Sequence, residues 1–318
     1  MLHSALTRRR LGRTDLYVTP LGLGGAWLGH TANGLDETTA IATVLRALEL
    51  GLNLIDTSPV YLKRESERFI GLALEVWYRR GGRREDVVLT TKTGTHVRPG
   101  DYSAEGTYRC VNRSLELLKT DYLDVVFVHD PQDLTPVFAP GGALAALRDL
   151  KARGVIRAIG LGVRSHAFHR QCIESGAIDV SLTFRDYNFL DQSAAAGVLD
   201  VASVHQVGVL NGSPTLNGIL GGDDPLNMLR KMGAAGQRPW RQHEDAHRAH
   251  ALWVWAQARN VSLLALNLQM CLREPRIAAT LVGASQPEQI EADVAAVCAP
   301  IADETWAALR ADFGMLVA

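Results

Sequence analysis

The chain of 318 residues carries 33 Lys+Arg against 34 Asp+Glu, a formal net charge of −1, with 47% hydrophobic and 21% charged residues. That balance excludes a disordered chain, and with no basic run longer than Arg8-Arg9-Arg10 it excludes an electrostatic nucleic-acid binder. No apolar run approaches the ~18 residues of a membrane span. The amino terminus places its arginines after a short apolar stretch, so no signal peptide is expected. Cys110, Cys172, Cys271 and Cys298 lie far apart with no CxxC pair, which suits a reducing cytoplasm better than a disulfide or zinc framework. A cytoplasmic small-molecule enzyme or binding protein is the expectation; the sequence says nothing about oligomeric state.

In chain order, a hairpin turning at Arg13-Thr14-Asp15 precedes a strand over 21–25. Asp36 can cap a helix in which Ile41, Val44, Leu45 and Leu48 share one face, and Gly51 supplies its left-handed stop. Further strands are expected at 53–57, 87–92, 123–129, 156–162, 179–185, 207–212 and 279–283, with helices at 66–77, 104–118 and 142–152 among them. These strand runs are continuously apolar rather than alternating, as in parallel sheets covered on both faces. Eight such β-α units without a composition break predict one α/β domain over 1–318, a closed (β/α)8 TIM barrel. An open doubly wound sheet would show a boundary near the middle, and none is visible. The stretch 221–241, rich in Gly, Asp, Asn and Pro, reads as a long loop after strand seven, either a cover over a ligand or a disordered insertion.

Polar residues closing apolar barrel strands are the candidates for chemistry. Asp56 ends Asn-Leu-Ile-Asp, Lys92 ends Val-Val-Leu-Thr-Thr-Lys, and His129 ends Val-Val-Phe-Val-His. Each alone reads as a structural ion pair or a satisfied histidine, but three on consecutive strands converge at the barrel mouth, where Tyr61 can lean over them. A free tyrosine, pKa near ~10, is a poor acid or base at neutral pH. An ammonium beside it lowers that value, and a carboxylate holds the ammonium in place. His129 can orient a substrate oxygen beside the phenol.

Asp56, Tyr61, Lys92 and His129, in this order and spacing, resemble the catalytic tetrad of the aldo-keto reductases, and the resemblance runs from Leu11-Gly-Arg-Thr-Asp-Leu to Gly283-Ala-Ser-Gln-Pro-Glu-Gln. It implies a single barrel that passes hydride between a nicotinamide cofactor and a carbonyl or alcohol. Asp56-Thr-Ser-Pro-Val-Tyr61 and His129-Asp-Pro131 are similar to the aldose 1-dehydrogenase branch, which acts on fucose-, arabinose- or galactose-type sugars. Asn211-Gly-Ser-Pro-Thr-Leu-Asn-Gly218 resembles that branch's pyrophosphate loop, whose glycines and backbone donors can approach phosphates. The resemblance thus implies cofactor contacts at Gly25, Asp56, Ser213, Pro214, Leu216, Gly218, Gly283, Ser285, Gln289 and Asp293. Substrate would meet Trp27, Tyr61 and His129. The expected reaction is oxidation of an aldose at C1 to its lactone, with aldehyde or ketone reduction of a glycoside or pyridoxal-like molecule, or a cofactor-binding regulatory role, as alternatives.

Three departures from the family pattern bear on these expectations. The glycine usual after the catalytic tyrosine is replaced by Leu62-Lys63-Arg64, a bulkier loop. The Ser-Asn pair that holds the nicotinamide amide is replaced by Gly162-Val163, with Arg164 next, which leaves the amide unassigned. Where NADP-preferring relatives place a Lys and an Arg, this chain has Gly283 and Gln289, with Asp293 for a usual Asn. A 2′-phosphate needs positive partners and is repelled by an added carboxylate, so NAD is expected over NADP.

Other motifs read as structural. His243-Glu-Asp-Ala-His247 matches HExxH, but it sits in the polar first turn of a helix with only a remote third ligand in Glu274, so no metal is expected. Gly22-Leu-Gly-Gly25 and Gly160-Leu-Gly162 do not complete a dinucleotide fingerprint. His166-x-x-His169 reads as a solvated helix start. Tyr187-Asn188 is divided between cofactor contact and packing, and Trp253 and Trp255 read as helix packing.

Overall fold

The computed structural model describes residues 5–31, 33–234 and 242–314. Eight parallel strands close on themselves: β1 (Leu21–Gly24), β2 (Leu54–Asp56), β3 (Val88–Thr93), β4 (Leu123–His129), β5 (Ile156–Gly162), β6 (Val180–Phe184), β7 (Gly208–Gly212) and β8 (Ala279–Gly283). Closure is made where Thr280 of β8 pairs with Leu21 of β1. The chain therefore folds as the (β/α)8 barrel that its apolar strand runs predict. No described helix is long and apolar enough to cross a membrane.

Helices α1 (Glu37–Glu49), α2 (Glu65–Arg79), α3 (Ala104–Leu118), α4 (Ala143–Ala152) and α5 (His166–Glu174) follow the first five strands. The Asp36 side chain accepts from Thr38 N–H to cap α1, and Ser103 caps α3 through Gly106 N–H. Each cap satisfies one donor that the first helical turn leaves open. The main core lies between strands and helices, where Val44, Phe69, Ile70, Leu147 and Ile173 are buried. A second cluster fills the barrel interior, with Leu54, Val88, Phe127, Val180 and Leu210.

Leu11, Leu16 and Val18 belong to that inner cluster. They come from the hairpin that pairs Arg9–Arg10 with Tyr17–Val18, so the hairpin plugs the amino-terminal end of the barrel. Gly160 is required inside, because a Cβ there would stand 2.2 Å from the Phe127 ring.

One stretch differs from expectation. Residues 225–234 form a helix, α6 (Pro225–Ala234), rather than part of a continuous loop. Asp224 accepts from Leu226 N–H, and proline at the first helical position lacks the N–H that would go unpaired there. Residues 235–241 of the expected loop lie outside the described residues. Trp253, on α7 (Gln242–Gln257), donates its indole N–H to Gly222 O, and Trp255 donates to Asp312 Oδ2.

Candidate active site

The carboxyl-terminal strand ends open into a cavity of about 980 Å³ lined by Trp27, Asp56, Tyr61, Lys92 and His129 together. Parallel strands of one register deliver them: Asp56 stands opposite Thr90, Lys92 opposite Phe127, and His129 opposite Gly162. The four expected catalytic side chains therefore share one space.

Lys92 is 1% exposed and donates to both Asp56 oxygens, at 2.9 and 2.7 Å, and to Thr57 O at 2.8 Å. Thr90 Oγ1 donates to Asp56 Oδ1 at 2.7 Å. Removing this ammonium from water disfavours its charge, but Asp56 and then Tyr61 outweigh burial, so its pKa is raised. The charged pair persists because it is fully hydrogen-bonded.

Tyr61 lies over this pair, with Lys92 Nζ 4.8 Å from its ring centroid. The expected lowering of the phenol pKa does not dominate. Burial raises it, and the Lys92 ammonium, partly offset by Asp56, does not overcome that. Tyr61 is accordingly protonated at neutral pH. His129 packs edge-on against Tyr61, with ring centroids 6.2 Å apart. Burial, followed by the Lys92 charge, lowers its pKa to about 3, so the imidazole is neutral. Its Nδ1 meets the Thr95 hydroxyl at 2.7 Å and the Ser58 hydroxyl at 3.3 Å, while Nε2 lies 3.5 Å from Asp130 Oδ2. Sequence reasoning missed Thr95 and Ser58; their only signal is that both lie in loops leaving strands that carry tetrad residues.

The segment after Tyr61 is more than bulky. Leu62, Lys63 and Arg64 have φ of 50°, 54° and 73° in succession. Each left-handed non-glycine residue costs roughly 1–2 kcal/mol. Arg64 ties the segment down: its guanidinium bonds the fully buried Glu67 at 2.7 Å and Cys110 Sγ at 3.5 Å. The other Glu67 oxygen accepts from Thr91 Oγ1, next to Lys92 on β3.

The remaining candidates divide. Ser213, Gly218, Gly283, Ser285, Gln289 and Asp293 line the same cavity. Three residues expected to touch cofactor, Gly25, Pro214 and Leu216, are not among those lining the cavity. Gly24, not Gly25, faces the cavity; a Cβ on Gly25 would instead meet Ser66 Oγ at 2.5 Å. Leu216 is 3% exposed and packs into the main core, and Pro214 turns its carbonyl to Asn267 Nδ2. Thr215 and Asn217, which alternate with them along the loop, do line the cavity. Asp293 is 7% exposed, its carboxyl has no hydrogen-bond partner among the described residues, and burial pushes its pKa up to about 7.

Of the other motifs, His169 is not solvated. It is fully buried, with Nδ1 bonded to Ser181 Oγ and Nε2 to Val163 O, while His166 pairs with Asp186 at 2.8 Å. Tyr187 and Asn188 are packing residues: the Tyr187 hydroxyl donates to Glu274, and Asn188 Oδ1 accepts from Leu190 N–H. Glu274 also holds Arg276 at 2.7 Å. His243, Glu244 and His247 stand exposed on α7, and no three His, Cys, Asp or Glu among the described residues are grouped to hold a metal.

A buried, charged lysine under a tyrosine, beside a neutral histidine at the mouth of a parallel barrel, defines a class of oxidoreductase that moves a proton at a carbonyl or carbinol oxygen. Residues 20–311 match the aldo/keto reductase family, and the chain belongs to it. It is 30% identical to L-galactose dehydrogenase of Arabidopsis thaliana, over 91% of this chain and 87% of that one. It is 27% identical to pyridoxal 4-dehydrogenase of Microbacterium luteolum, over 97% and 98%. Among solved structures, the holo form of an aldo-keto reductase from Bacillus halodurans superposes with a TM-score of 0.71 at 29% identity, covering 94% of this chain and 93% of that one. Enzymes of this family use nicotinamide cofactors.

Proposed function

We propose that this protein is an NAD-dependent dehydrogenase that oxidises an aldose at C1 to its lactone, with Tyr61 as the proton-transferring group. The buried Lys92–Asp56 pair beneath Tyr61 carries this reading. A binding module has no use for a desolvated ammonium aimed at a phenol, which argues against a purely regulatory role.

The cavity's chemistry fits a dinucleotide. Gly212, Ser213, Thr215, Asn217 and Gly218 form a glycine-flanked wall on one side, and Gly283, Ser285, Gln289 and Asp293 line another. Bound nicotinamide accepts or supplies the hydride. Among the described residues the second wall holds no lysine or arginine for a 2′-phosphate, and the Asp293 carboxyl, without a partner among them, can accept from ribose hydroxyls, which favours NAD. Lys231 on α6 also reaches the cavity and lies 3.3 Å from Asp223.

Tyr61 takes the proton of the C1 hydroxyl during oxidation and returns it during reduction. Lys92 makes the deprotonated phenol less costly, and Asp56 keeps Lys92 charged and oriented. When the Thr95 hydroxyl donates to Nδ1 of the neutral His129, the ring proton sits on Nε2 and can donate to the substrate oxygen. Because burial raises the Tyr61 pKa, oxidation accelerates with alkaline pH.

The same proton machinery serves aldehyde reduction, and the similarity to a pyridoxal 4-dehydrogenase favours keeping a pyridoxal-like substrate as the second reading. The test is the absorbance of reduced nicotinamide on mixing protein with NAD or NADP and a panel of aldoses at mildly alkaline pH. Formation of NADH with one sugar class is expected. NADH consumption by aldehydes with no aldose oxidation replaces the first reading by the second, and equal rates with NADP overturn the cofactor preference. Tyr61→Phe keeps the ring and is expected to lower turnover by about 10²–10⁴-fold with cofactor affinity unchanged. Near-normal turnover would remove Tyr61 from the mechanism.

A further inference from the structure

Tyr61 is carried by a stretch of chain whose backbone does not hold its shape unaided. On the amino-terminal side its N–H donates to Ser58 O at 3.0 Å. On the carboxyl-terminal side stand Leu62, Lys63 and Arg64, at φ 50°, 54° and 73°. Three successive left-handed residues, none of them glycine, persist only where their surroundings impose them, and such backbone gathers at functional sites. Leu62 packs half-buried against the main core, and Lys63 is exposed. Polar anchorage falls to Arg64, the left-handed residue through which the chain enters α2.

Arg64 reaches β3 by two routes. Its guanidinium donates to Glu67 Oε2 at 2.7 Å, and the Glu67 side chain is fully buried. Glu67 Oε1 accepts from Thr91 Oγ1 at 2.9 Å, and Thr91 immediately precedes Lys92. The other guanidinium nitrogen lies 3.5 Å from Cys110 Sγ, and the Cys110 thiol donates to Lys92 O at 3.8 Å. Between these residues, Ser66 Oγ meets Thr57 Oγ1 at 2.7 Å and donates to Gly25 O at 2.8 Å. Thr57 O is itself an acceptor of Lys92 Nζ. The first turn of α2 is thus tied to both strands that hold the Lys92–Asp56 pair, and Arg64 extends that tie into the segment behind Tyr61.

Arginine suits this place. Its rigid fork can hold two acceptors at once, and its charge offsets a carboxylate that would be costly to bury alone. Without that hold, the left-handed residues are free to relax, and the phenol three residues away leaves the ammonium. We propose that Arg64 is a positioning residue for Tyr61: it closes the left-handed segment onto Glu67 and Cys110, so that the phenol stays over Lys92 Nζ, 4.8 Å from its ring centroid. The proposal rests on the reading of Tyr61 as the proton-transferring group. It gives the bulky Leu62-Lys63-Arg64 segment a purpose: glycines would follow the same bend without strain, but would leave the tyrosine less firmly aimed.

The experiment is a double-mutant cycle on the full chain, read as the single-turnover loss of NADH absorbance with 4-nitrobenzaldehyde, a reactive aldehyde that needs no sugar subsite. Arg64→Gln with Glu67→Gln replaces the ion pair by two amides, so no buried charge is stranded and Thr91 keeps an acceptor. This pair of changes is expected to lower the rate constant by about 10–10²-fold, with NADH affinity and the half-saturating aldehyde concentration unchanged. Arg64→Lys keeps a cation on Glu67 but has no second nitrogen for Cys110, and is expected to give an intermediate loss. Added to Tyr61→Phe, either change is expected to cost nothing further, because no phenol remains to be aimed.

A wild-type rate constant in Arg64→Gln with Glu67→Gln overturns the positioning role. So does an equal fold-loss with and without Tyr61→Phe, because the clamp then acts on something other than the phenol. Weakened NADH or aldehyde binding at an unchanged rate constant also overturns it. Should the amide pair not fold, Arg64→Lys carries the cycle alone, and a loss that is absent, or the same with and without Tyr61→Phe, is the overturning result. The two readings fail differently. A near-normal rate in Tyr61→Phe, or no aldehyde reduction by the wild-type protein, removes the role of Tyr61 and that of Arg64 with it. A slow Tyr61→Phe beside clamp variants of wild-type rate removes only the role of Arg64.

Discussion

At the amino-terminal end of the barrel, buried carboxylates are saturated. Asp124 is fully buried and accepts from Arg84, Arg157 and Leu89 N–H, at 2.9, 2.8 and 2.8 Å. Asp179 accepts from Lys151 and from Ile159 N–H, with Arg13 at 3.5 Å. At the carboxyl-terminal end Asp56 is matched just as closely to Lys92, but around that pair the polar groups are left open. His129 Nε2 has only Asp130, at 3.5 Å, and Asp293 and Arg164 have no hydrogen-bond partner among the described residues. One end uses its charges to close a structure, and the other holds them ready for something that is not protein. Burial of charge is common to both ends; unmet hydrogen-bonding capacity marks the functional one.

The largest effect that tests this contrast comes from replacing both members of the catalytic pair. Asp56→Leu with Lys92→Met should lower turnover by about 10²–10⁴-fold while leaving stability within about 2 kcal/mol, because a buried pair exchanged for apolar groups is often close to neutral. Asp124→Ala should do the opposite. It leaves the buried Leu89 N–H without its acceptor and takes one partner each from Arg84 and Arg157, which keep others, and costs about 1–3 kcal/mol, with turnover per folded molecule unchanged. Denaturant titration alongside rate measurement separates the two, and a loss of rate in Asp124→Ala would mean the ends are coupled.

A middle-sized effect lies in the pH dependence of stability. His129 and His169 are depressed from 6.5 to about 3 and about 4. Between those values and 6.5 the unfolded chain binds protons that the folded protein refuses, so stability is lost as pH falls. Asp293 is raised from 3.8 to about 7, so it opposes this trend, its contribution being lost as pH rises through the same window. With two histidines against one aspartate, these three groups leave a net slope of about one proton, or about 1.4 kcal/mol per pH unit. Asp293→Asn should steepen the slope to about two protons. Parallel unfolding curves for wild type and variant would show that Asp293 ionises freely.

The smallest effect concerns the left-handed segment beside Tyr61. Leu62→Gly relieves a backbone at φ 50° but gives up the contact of a half-buried side chain with the main core, so stability should change by no more than about 1 kcal/mol. With the clamp from Arg64 to Glu67 intact, turnover should fall little. A large fall would show that Leu62 itself shapes the pocket.

Much of this was legible because the signals are local. Lys92 and His129 stand at the ends of apolar runs, and a parallel register carries such ends to one mouth. The helix at 225–234 was obscured by its own start: Asp224-Pro225 reads as a turn until Leu226 and Leu229 are seen three apart. Gly24 and Gly25 cannot be ranked without the strand's exact end, since one position exchanges cavity for Ser66. Pro214 and Leu216 differ from the cavity-lining Thr215 and Asn217 by one step along an alternating loop, a step that composition does not fix. His169 looked solvated because its partners, Ser181 and the Val163 carbonyl, come from other elements.

The pairing of Leu21 with Thr280 has a consequence for how the chain comes to be folded. The first barrel strand is made early in synthesis, yet its partner on one side arrives only near the end. Until then β1 and the last strand formed each present an open edge, and the hairpin carrying Leu11 and Leu16 has no finished ring to plug. Contacts so distant in sequence form slowly, and an unpaired edge is an invitation to association. For this protein the vulnerable interval is the one before β8 emerges, and a truncation that removes β8 would leave the ring permanently open.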